Sequence, residues 1–355
     1  MKHSIIVGFG LAGFNYALHL QKQKKEFLIV DSGVHRASEN AAGVCNPTVL
    51  KRYTMAWQGH QFLQYAKAHY REFESKINQE VFLDHPIHRY FNQVSEQNHW
   101  TVASQGAELK FYLDASFSIQ SQKGIRQNKG YGCVQNVGRL KISKAINTFR
   151  KTLHSDQYLQ ENFDYDVLEH QENKVFYKGC DAQQIVFCEG YGLKRNPWFN
   201  YLPLRGSKGE FLVIQAPDLS REQIVKGGVF IVPIENDLFW VGATFSPKDK
   251  TYEITEIGKH WLLTKLDKLI DTNYTVRFQG SGIRPTVTDR RPLLGQHPTH
   301  KNMYLFNGLG TRGVLMAPLL AHWLYSFINN QKELPTAVAI DRFESYFSEP
   351  KVEDV

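Results

Sequence analysis

The chain is 355 residues long, 42% hydrophobic and 22% charged, which is more than one compact core accommodates and too apolar for a disordered polymer, so about two globular domains are expected. No apolar run reaches the roughly eighteen residues a spanning helix needs, and Met1-Lys2 leads straight into an apolar strand, so a membrane span is excluded and a cytoplasmic location is expected. A net charge of +7 favours an anionic partner such as RNA or an acidic metabolite, yet the densest basic run, Lys22-Gln23-Lys24-Lys25, falls where the first helix should end and reads as a solvated face.

The first element is a short buried strand, Ile5-Ile6-Val7. Gly8, Gly10 and Gly13 follow it, and Leu11, Ala12, Ala17, Leu18 and Leu20 recur at helical spacing behind them. In that context Gly8 permits the tight turn, Gly10 lets the backbone approach a pyrophosphate and Gly13 allows close packing of helix on strand, with the helix N-terminus offering free N–H groups. A second strand, Phe27-Leu28-Ile29-Val30, ends in Asp31, placed to accept from a ribose hydroxyl. The unit therefore predicts an adenine dinucleotide with a free 2′-hydroxyl, which leaves both NAD and FAD open and disfavours NADP.

Beyond a loop of small residues at 38–52, an amphipathic helix is expected from about Trp57 to Ile77. Residues 81–138 read as short strands, among them His99–Ser104 and Leu109–Ser116, and 141–153 as a helix carrying Ile142, Ala145, Ile146 and Phe149 on one side. Asp164–His170 and Asn173–Gly179 read as strands, and Gln183–Gly192 as another apolar run closing on a glycine turn. An antiparallel sheet is expected from Leu204 to about Phe278, interrupted by a helix at 256–270, and the segment from Met303 onward repeats the order strand, glycine turn, helix. The fold class is accordingly α/β with an α+β second domain: a Rossmann-like nucleotide domain of residues 1–80, 139–203 and 279–355, interleaved with an antiparallel-sheet substrate domain of 81–138 and 204–278. The four cysteines, Cys45, Cys133, Cys180 and Cys188, form no CxxC pair and read as reduced thiols rather than a disulfide frame or metal site.

Taken in order, "GFGLAG" at 8–13, "AAG" at 41–43, "IVFCEG" at 185–190, "LPLRGSKGE" at 202–210, "DLFWVGAT" at 237–244, "GIRPTVTDRRPLLG" at 282–295 and "FNGLGTRGVLMAP" at 306–318 resemble the D-amino-acid-oxidase-like FAD oxidoreductases nearly end to end. That family includes glycine oxidase, sarcosine oxidase and the FAD domain of the bacterial bifunctional enzyme that matures the methylaminomethyl group of tRNA wobble uridine. The resemblance implies noncovalent FAD, since "TVTDRRP" carries no cysteine downstream of Arg284. It places the adenosine diphosphate end on Gly8, Phe9, Gly10, Leu11, Ala12 and Gly13 with Asp31 and Ser32. Ala41, Ala42 and Gly43 would pass beside the flavin, Val167 would meet the adenine through its backbone, and Cys188, Glu189 and Gly190 would stand at the family's "A-T-G" turn, from which Glu189 departs. The turn with Gly308, Gly310, Thr311, Arg312 and Gly313 would close over the ring. Arg284, in the family's "G-x-R-P", would bind the substrate carboxylate, for which a planar guanidinium is suited. Against that stands a structural salt bridge, for instance with Asp289.

The activity implied is oxidation of the C–N bond of a small amino acid or secondary amine, with dioxygen or another acceptor taking the electrons. Tyr201, Phe230, Trp240 and Tyr252 are candidate pocket aromatics. The alternative is the tRNA-modifying branch, the carboxymethylaminomethyl to aminomethyl step, which "TDRRPLLG" and "GLGTRGV" resemble more closely.

Overall fold

The structure is a computed structural model and describes residues 1–34, 37–126 and 129–347. The opening strand, Lys2–Val7, lies at the centre of a parallel sheet between Phe27–Val30 and Cys180–Phe187, with Ile5 opposite Leu28 on one side and Ile185 on the other. Tyr158–Leu159 extends the sheet at one edge and Met303–Asn307 at the other, both parallel, and Leu293–Gln296 returns antiparallel beside the latter. Ile5, Ile6 and Val7 and their partners Ile185, Val186 and Phe187 are apolar because both faces are covered, while Ser4 and Gln184, opposite each other, are buried and hydrogen-bonded. Ile6, Ile29, Val186 and Phe306 point into a layer of helices; Ile5, Leu28, Ile185 and Leu305, one residue out of phase, point into a second core with Phe199, Leu202 and Ile340.

The helical layer consists of Leu11–Lys22, Gly59–Ile77 and Gly313–Asn330, the last packed between the other two. Gly59–Ile77 buries Phe62, Leu63, Ala66, Tyr70 and Phe73, one stripe at helical spacing, and stops at Asn78, whose left-handed φ of 50° ends the turn.

The second sheet runs in the order Thr275–Arg284, Ser207–Gln215, Leu238–Gly242, Phe230–Pro233, Ile224–Lys226, Ile87–Tyr90, Tyr131–Val134, Leu113–Ser118. Its junctions are antiparallel except the one between Ile224–Lys226 and Ile87–Tyr90, where the two separate chain segments meet in parallel. Thr275–Arg284 crosses the boundary expected at 278/279 without a break, so Arg284 is a residue of this sheet. The helix Glu256–Asp267 covers it, started by Thr255, whose hydroxyl accepts from the Gly258 amide at 2.9 Å.

Two local expectations are corrected. His99–Ser104 is not a strand but lies within the helix Val94–Ser104, which docks through the fully buried Trp100; a Cβ on Gly132 of the underlying strand would stand 2.2 Å from that indole. Its β-branched residues misled because Thr101 and Val102 face outward, where propensity is cheaply overridden by one anchored aromatic. Asp164–His170 is not a continuous strand either: the Asp164 carboxylate accepts from the Asp166 amide at 3.1 Å, turning the chain, and pairing begins at Glu169.

Candidate active site

An elongated cavity of about 890 Å³ starts at the first strand–helix turn, passes the 37–44 loop and ends between the antiparallel sheet and the closing turn at 309–314. At its first end Gly8, Phe9, Gly10, Leu11 and Ala12 form the wall, with Asp31 and Ser32 beside them. Gly8 has φ +94°, and a Cβ there would sit 2.8 Å from the Cys188 carbonyl oxygen. Gly13 does not reach the cavity; a Cβ on it would lie 2.0 Å from the Gly8 carbonyl oxygen, so it is the packing glycine of the turn. The first intrahelical bond is Phe14 N–H to Gly10 carbonyl, the Leu11 amide donates to the Ser38 hydroxyl at 2.9 Å, and no acidic residue occupies the first turn, so the helix start keeps positive potential toward the cavity. The Asp31 carboxylate accepts from the Phe9 and Gly33 amides at 2.8 and 2.9 Å and from the Tyr158 hydroxyl at 3.4 Å, which pins it at the rim.

Across from Asp31 the wall is Asn162, Phe163 and Tyr165. Val167, expected at the adenine, is 39% exposed in a turn outside the cavity, because the Asp164 turn redirects the chain before it. Cys188, Glu189 and Gly190 line the middle. Glu189 does not point outward: its carboxylate accepts from the Tyr165 hydroxyl and from Asn196 Nδ2, and burial pushes its pKa up. Burial also holds the Cys188 thiol well above its ordinary pKa, which keeps it protonated.

Ala41, Ala42 and Gly43 line the turn into the second half of the cavity; Gly43 is the crowded one, with a Cβ there 2.0 Å from the Leu140 carbonyl oxygen. Opposite them Gly310, Thr311 and Gly313 form the mouth of the helix Gly313–Asn330, again with no acidic residue in its first turn. Two residues of this turn serve it from behind. Gly308 has φ +74° and would drive a Cβ to 2.7 Å from Val287, away from the cavity. Arg312 is turned away as well: its guanidinium donates to the Asn46 and Thr48 carbonyls at 2.8 and 3.3 Å and ties the 46–48 loop to the helix start. The glycine spacing that identified this turn carries no information about which way its arginine faces.

The sheet forms the far wall with Phe211, Phe230, Trp240, Tyr252 and Arg284. Tyr201 is elsewhere, packed on Phe347. Arg284, at the end of its strand, donates only to the Thr244 and Ser207 carbonyls, at 3.3 and 3.5 Å, and has no carboxylate partner among the described residues. Asp289 pairs instead with Arg342 at 2.8 Å. Burial without a counter-charge lowers the Arg284 pKa. Three contributors escaped the sequence reading. Gly209 gives the guanidinium its room, Asn40 accepts from Trp240 Nε1 at 3.1 Å and donates to the Ser281 carbonyl at 2.7 Å, and Lys226 lines the wall beside Phe230. Only Gly209 left a trace, as a glycine in a strand that is otherwise bulky.

The family model described as DAO, FAD dependent oxidoreductase, matches residues 3–326. The chain belongs to that family. FAD is the cofactor that goes with this membership, and the cavity fits a long two-ended dinucleotide: a helix start without acidic residues at each end, an acidic rim residue at the nucleotide side and a small-residue loop at the other. Among curated relatives, glycine oxidase from Geobacillus kaustophilus (strain HTA426) is 30% identical over 116 residues, 32% of this chain and 31% of that protein. The tRNA 5-methylaminomethyl-2-thiouridine biosynthesis bifunctional protein MnmC from Azoarcus sp. (strain BH72) is 25% identical over 174 residues, 43% of this chain and 27% of that protein. The matches thus span less than a third of either relative's length. In fold, the family member resembles the crystal structure of glycine oxidase from Bacillus cereus ATCC 14579 with a TM-score of 0.74 at 14% identity, covering 94% of this chain and 96% of that one. Among the described residues no helix is long and apolar enough to cross a membrane.

Proposed function

We propose that this FAD dependent oxidoreductase oxidises the C–N bond of a small amino acid or secondary amine that carries a carboxylate. The observation that carries the reading is Arg284: a guanidinium lodged in the cavity wall with two long carbonyl contacts and no counter-ion among the described residues. Such a group is costly to bury unless an anion completes it, and a carboxylate fits its fork bidentately. Bound along the cavity, FAD supplies a two-electron acceptor, N5, for the hydride leaving the carbon next to the substrate nitrogen. The chain's part is positional. Arg284 fixes the carboxylate, the aromatic wall of Phe230, Trp240 and Tyr252 excludes water, and the start of helix Gly313–Asn330 favours negative charge at the opposite side. The amine must arrive deprotonated, and the resulting imine is hydrolysed by water after release. The flavin is held noncovalently, and dioxygen is the acceptor we propose for its electrons.

An anaerobic screen of amines and amino acids, following loss of flavin absorbance, tests this. Native protein is expected to bleach with carboxylate-bearing amines and Arg284→Ala to need far higher concentrations; equal responses would remove Arg284 from the role. Release of hydrogen peroxide on readmitting air reports the acceptor.

A second reading has its own support in the net charge of +7 and the similarity to MnmC: the amine is a carboxymethylaminomethyl group on tRNA. It predicts retention on immobilised tRNA that falls with rising salt. Absence of retention at low salt leaves the small-molecule reading.

A further inference from the structure

Arg284 is not the only cation in the sheet wall of the cavity. Lys226, the last residue of the strand Ile224–Lys226, faces the same space. Its ammonium stands 4.6 Å above the Phe230 ring and donates to the Gly227 carbonyl at 3.0 Å, and it makes no ion pair among the described residues. Arg89, the cation near it, pairs with Glu96. Burial, with Arg89 nearby, holds the Lys226 pKa down to about 8, so at neutral pH it is still mostly a cation, and one in want of an anion.

The acids of the cavity do not supply that anion. Among the described lining residues the carboxylates are Asp31, at the nucleotide end, and Glu189, in the middle, the first held by backbone amides and the Tyr158 hydroxyl and the second by Tyr165 and Asn196. Arg195, the third lining cation, is exposed and sits by Glu189 rather than in the sheet wall. The sheet end therefore holds two positive groups and no negative one. They lie along one stretch of wall: Arg284 reaches the Thr244 carbonyl, Gly242 two residues away pairs with Phe230, and Phe230 pairs with Lys226 and carries its ammonium. A monocarboxylate amine, deprotonated at nitrogen, brings one negative charge and neutralises Arg284 alone.

We propose that Lys226 is a second anion-binding group of the substrate site and that the preferred substrate is a secondary amine bearing two carboxylates, one on Arg284 and the other on Lys226. This rests on the amine-oxidation reading and narrows it. A methylene-matched neutral tail in place of the second carboxylate leaves Lys226 unpaired, and the ring of Phe230 then remains its main support.

The test compares iminodiacetate with N-propylglycine as reductants of the holoenzyme under anaerobic conditions, and glutarate with butyrate as unreactive ligands followed by the flavin spectrum. Native protein is expected to favour the diacid of each pair by about 10- to 100-fold, the range of one charged hydrogen bond. Lys226→Met, which keeps the stem on Phe230, is expected to abolish the preference by weakening the diacids and leaving N-propylglycine and butyrate unchanged; Lys226→Arg is expected to restore most of it. Equal use of iminodiacetate and N-propylglycine by native protein, or an equal loss for both in Lys226→Met, overturns the inference and leaves amine oxidation standing. If no amine bleaches the flavin while glutarate still outbinds butyrate in a Lys226-dependent way, the oxidation reading falls and the second anion site stands.

Discussion

Gly209 and Arg284 lie on neighbouring strands two residues out of register, Gly209 opposite Gly282 and Arg284 opposite Ser207, and the guanidinium covers the glycine so closely that a Cβ on Gly209 would stand 2.0 Å from Nη2. The position of the proposed carboxylate clamp is thus set by the absence of a side chain on the adjacent strand. A methyl there displaces the guanidinium toward solvent or across the cavity. Gly209→Ala is expected to lower kcat/KM for carboxylate-bearing amines by about 10- to 100-fold, as losing a charged hydrogen bond does, while flavin content stays at the native level. A change of flavin content in parallel with activity would show that Gly209 acts through the fold rather than through Arg284.

Arg312 gives the contrasting case. It belongs to the glycine turn that closes the cavity, yet it holds the Asn46 and Thr48 carbonyls and is itself buried without a counter-ion among the described residues, so its pKa is lowered. Arg312→Met leaves two carbonyls without their donors, a cost of about 1–3 kcal/mol. The expected result is a lower melting temperature with KM for the amine unchanged. A raised KM with native stability would return Arg312 to the substrate or flavin side of the turn.

The different fates of these two arginines show what could be read in advance. Alternating apolar strands and the glycine spacings at 8–13 and 308–313 located both ends of the cavity, because period and backbone permissiveness are written locally. The direction of a long side chain is not local. Arg284 faces the cavity because Gly209, seventy-five positions away, leaves room; Arg312 faces away because the 46–48 loop offers carbonyls. Val167 lies outside the cavity lining for a related reason: an Asx turn at Asp164 breaks what looks like a strand and hands the wall to Phe163 and Tyr165. Lys226 was invisible as a site residue because its partner ring, Phe230, and the second cation meet it only across the sheet.

Gly13 tests the architecture beneath the cofactor end. With a Cβ 2.0 Å from the Gly8 carbonyl oxygen, Gly13→Ala forces the helix off the strand, and overpacking of that kind costs about 1–3 kcal/mol. Because Gly8 and the amides of the turn move with the helix, lower flavin occupancy after purification is expected together with reduced thermal stability, and added FAD is expected to recover part of the latter by mass action. Native flavin occupancy in Gly13→Ala would separate the turn from cofactor retention.

Stability toward acid is governed in part by two histidines in the helical layer. His19 and His69 are buried with no partner for Nε2 among the described residues, and burial lowers their pKa values to about 4 and about 3 from an ordinary 6.5. Desolvation is the largest cause for both; His322 and Lys22 further oppose protonation of His19, while His19, Lys22 and Lys76 oppose that of His69, and Glu72 favours both. The folded state therefore keeps them neutral where the unfolded chain already binds protons. Below pH 6.5 unfolding takes up protons, so stability is full above that value and is lost as the pH falls toward 4 and 3, by up to about 1.4 kcal/mol per pH unit for each histidine. Melting temperatures measured from pH 6.5 to pH 4.5 (about two units, inside that linkage window) should fall steeply for the native chain. The slope should be shallower for His69→Phe and shallower still for the double variant with His19→Phe. Parallel curves for all three would place the acid sensitivity in other groups.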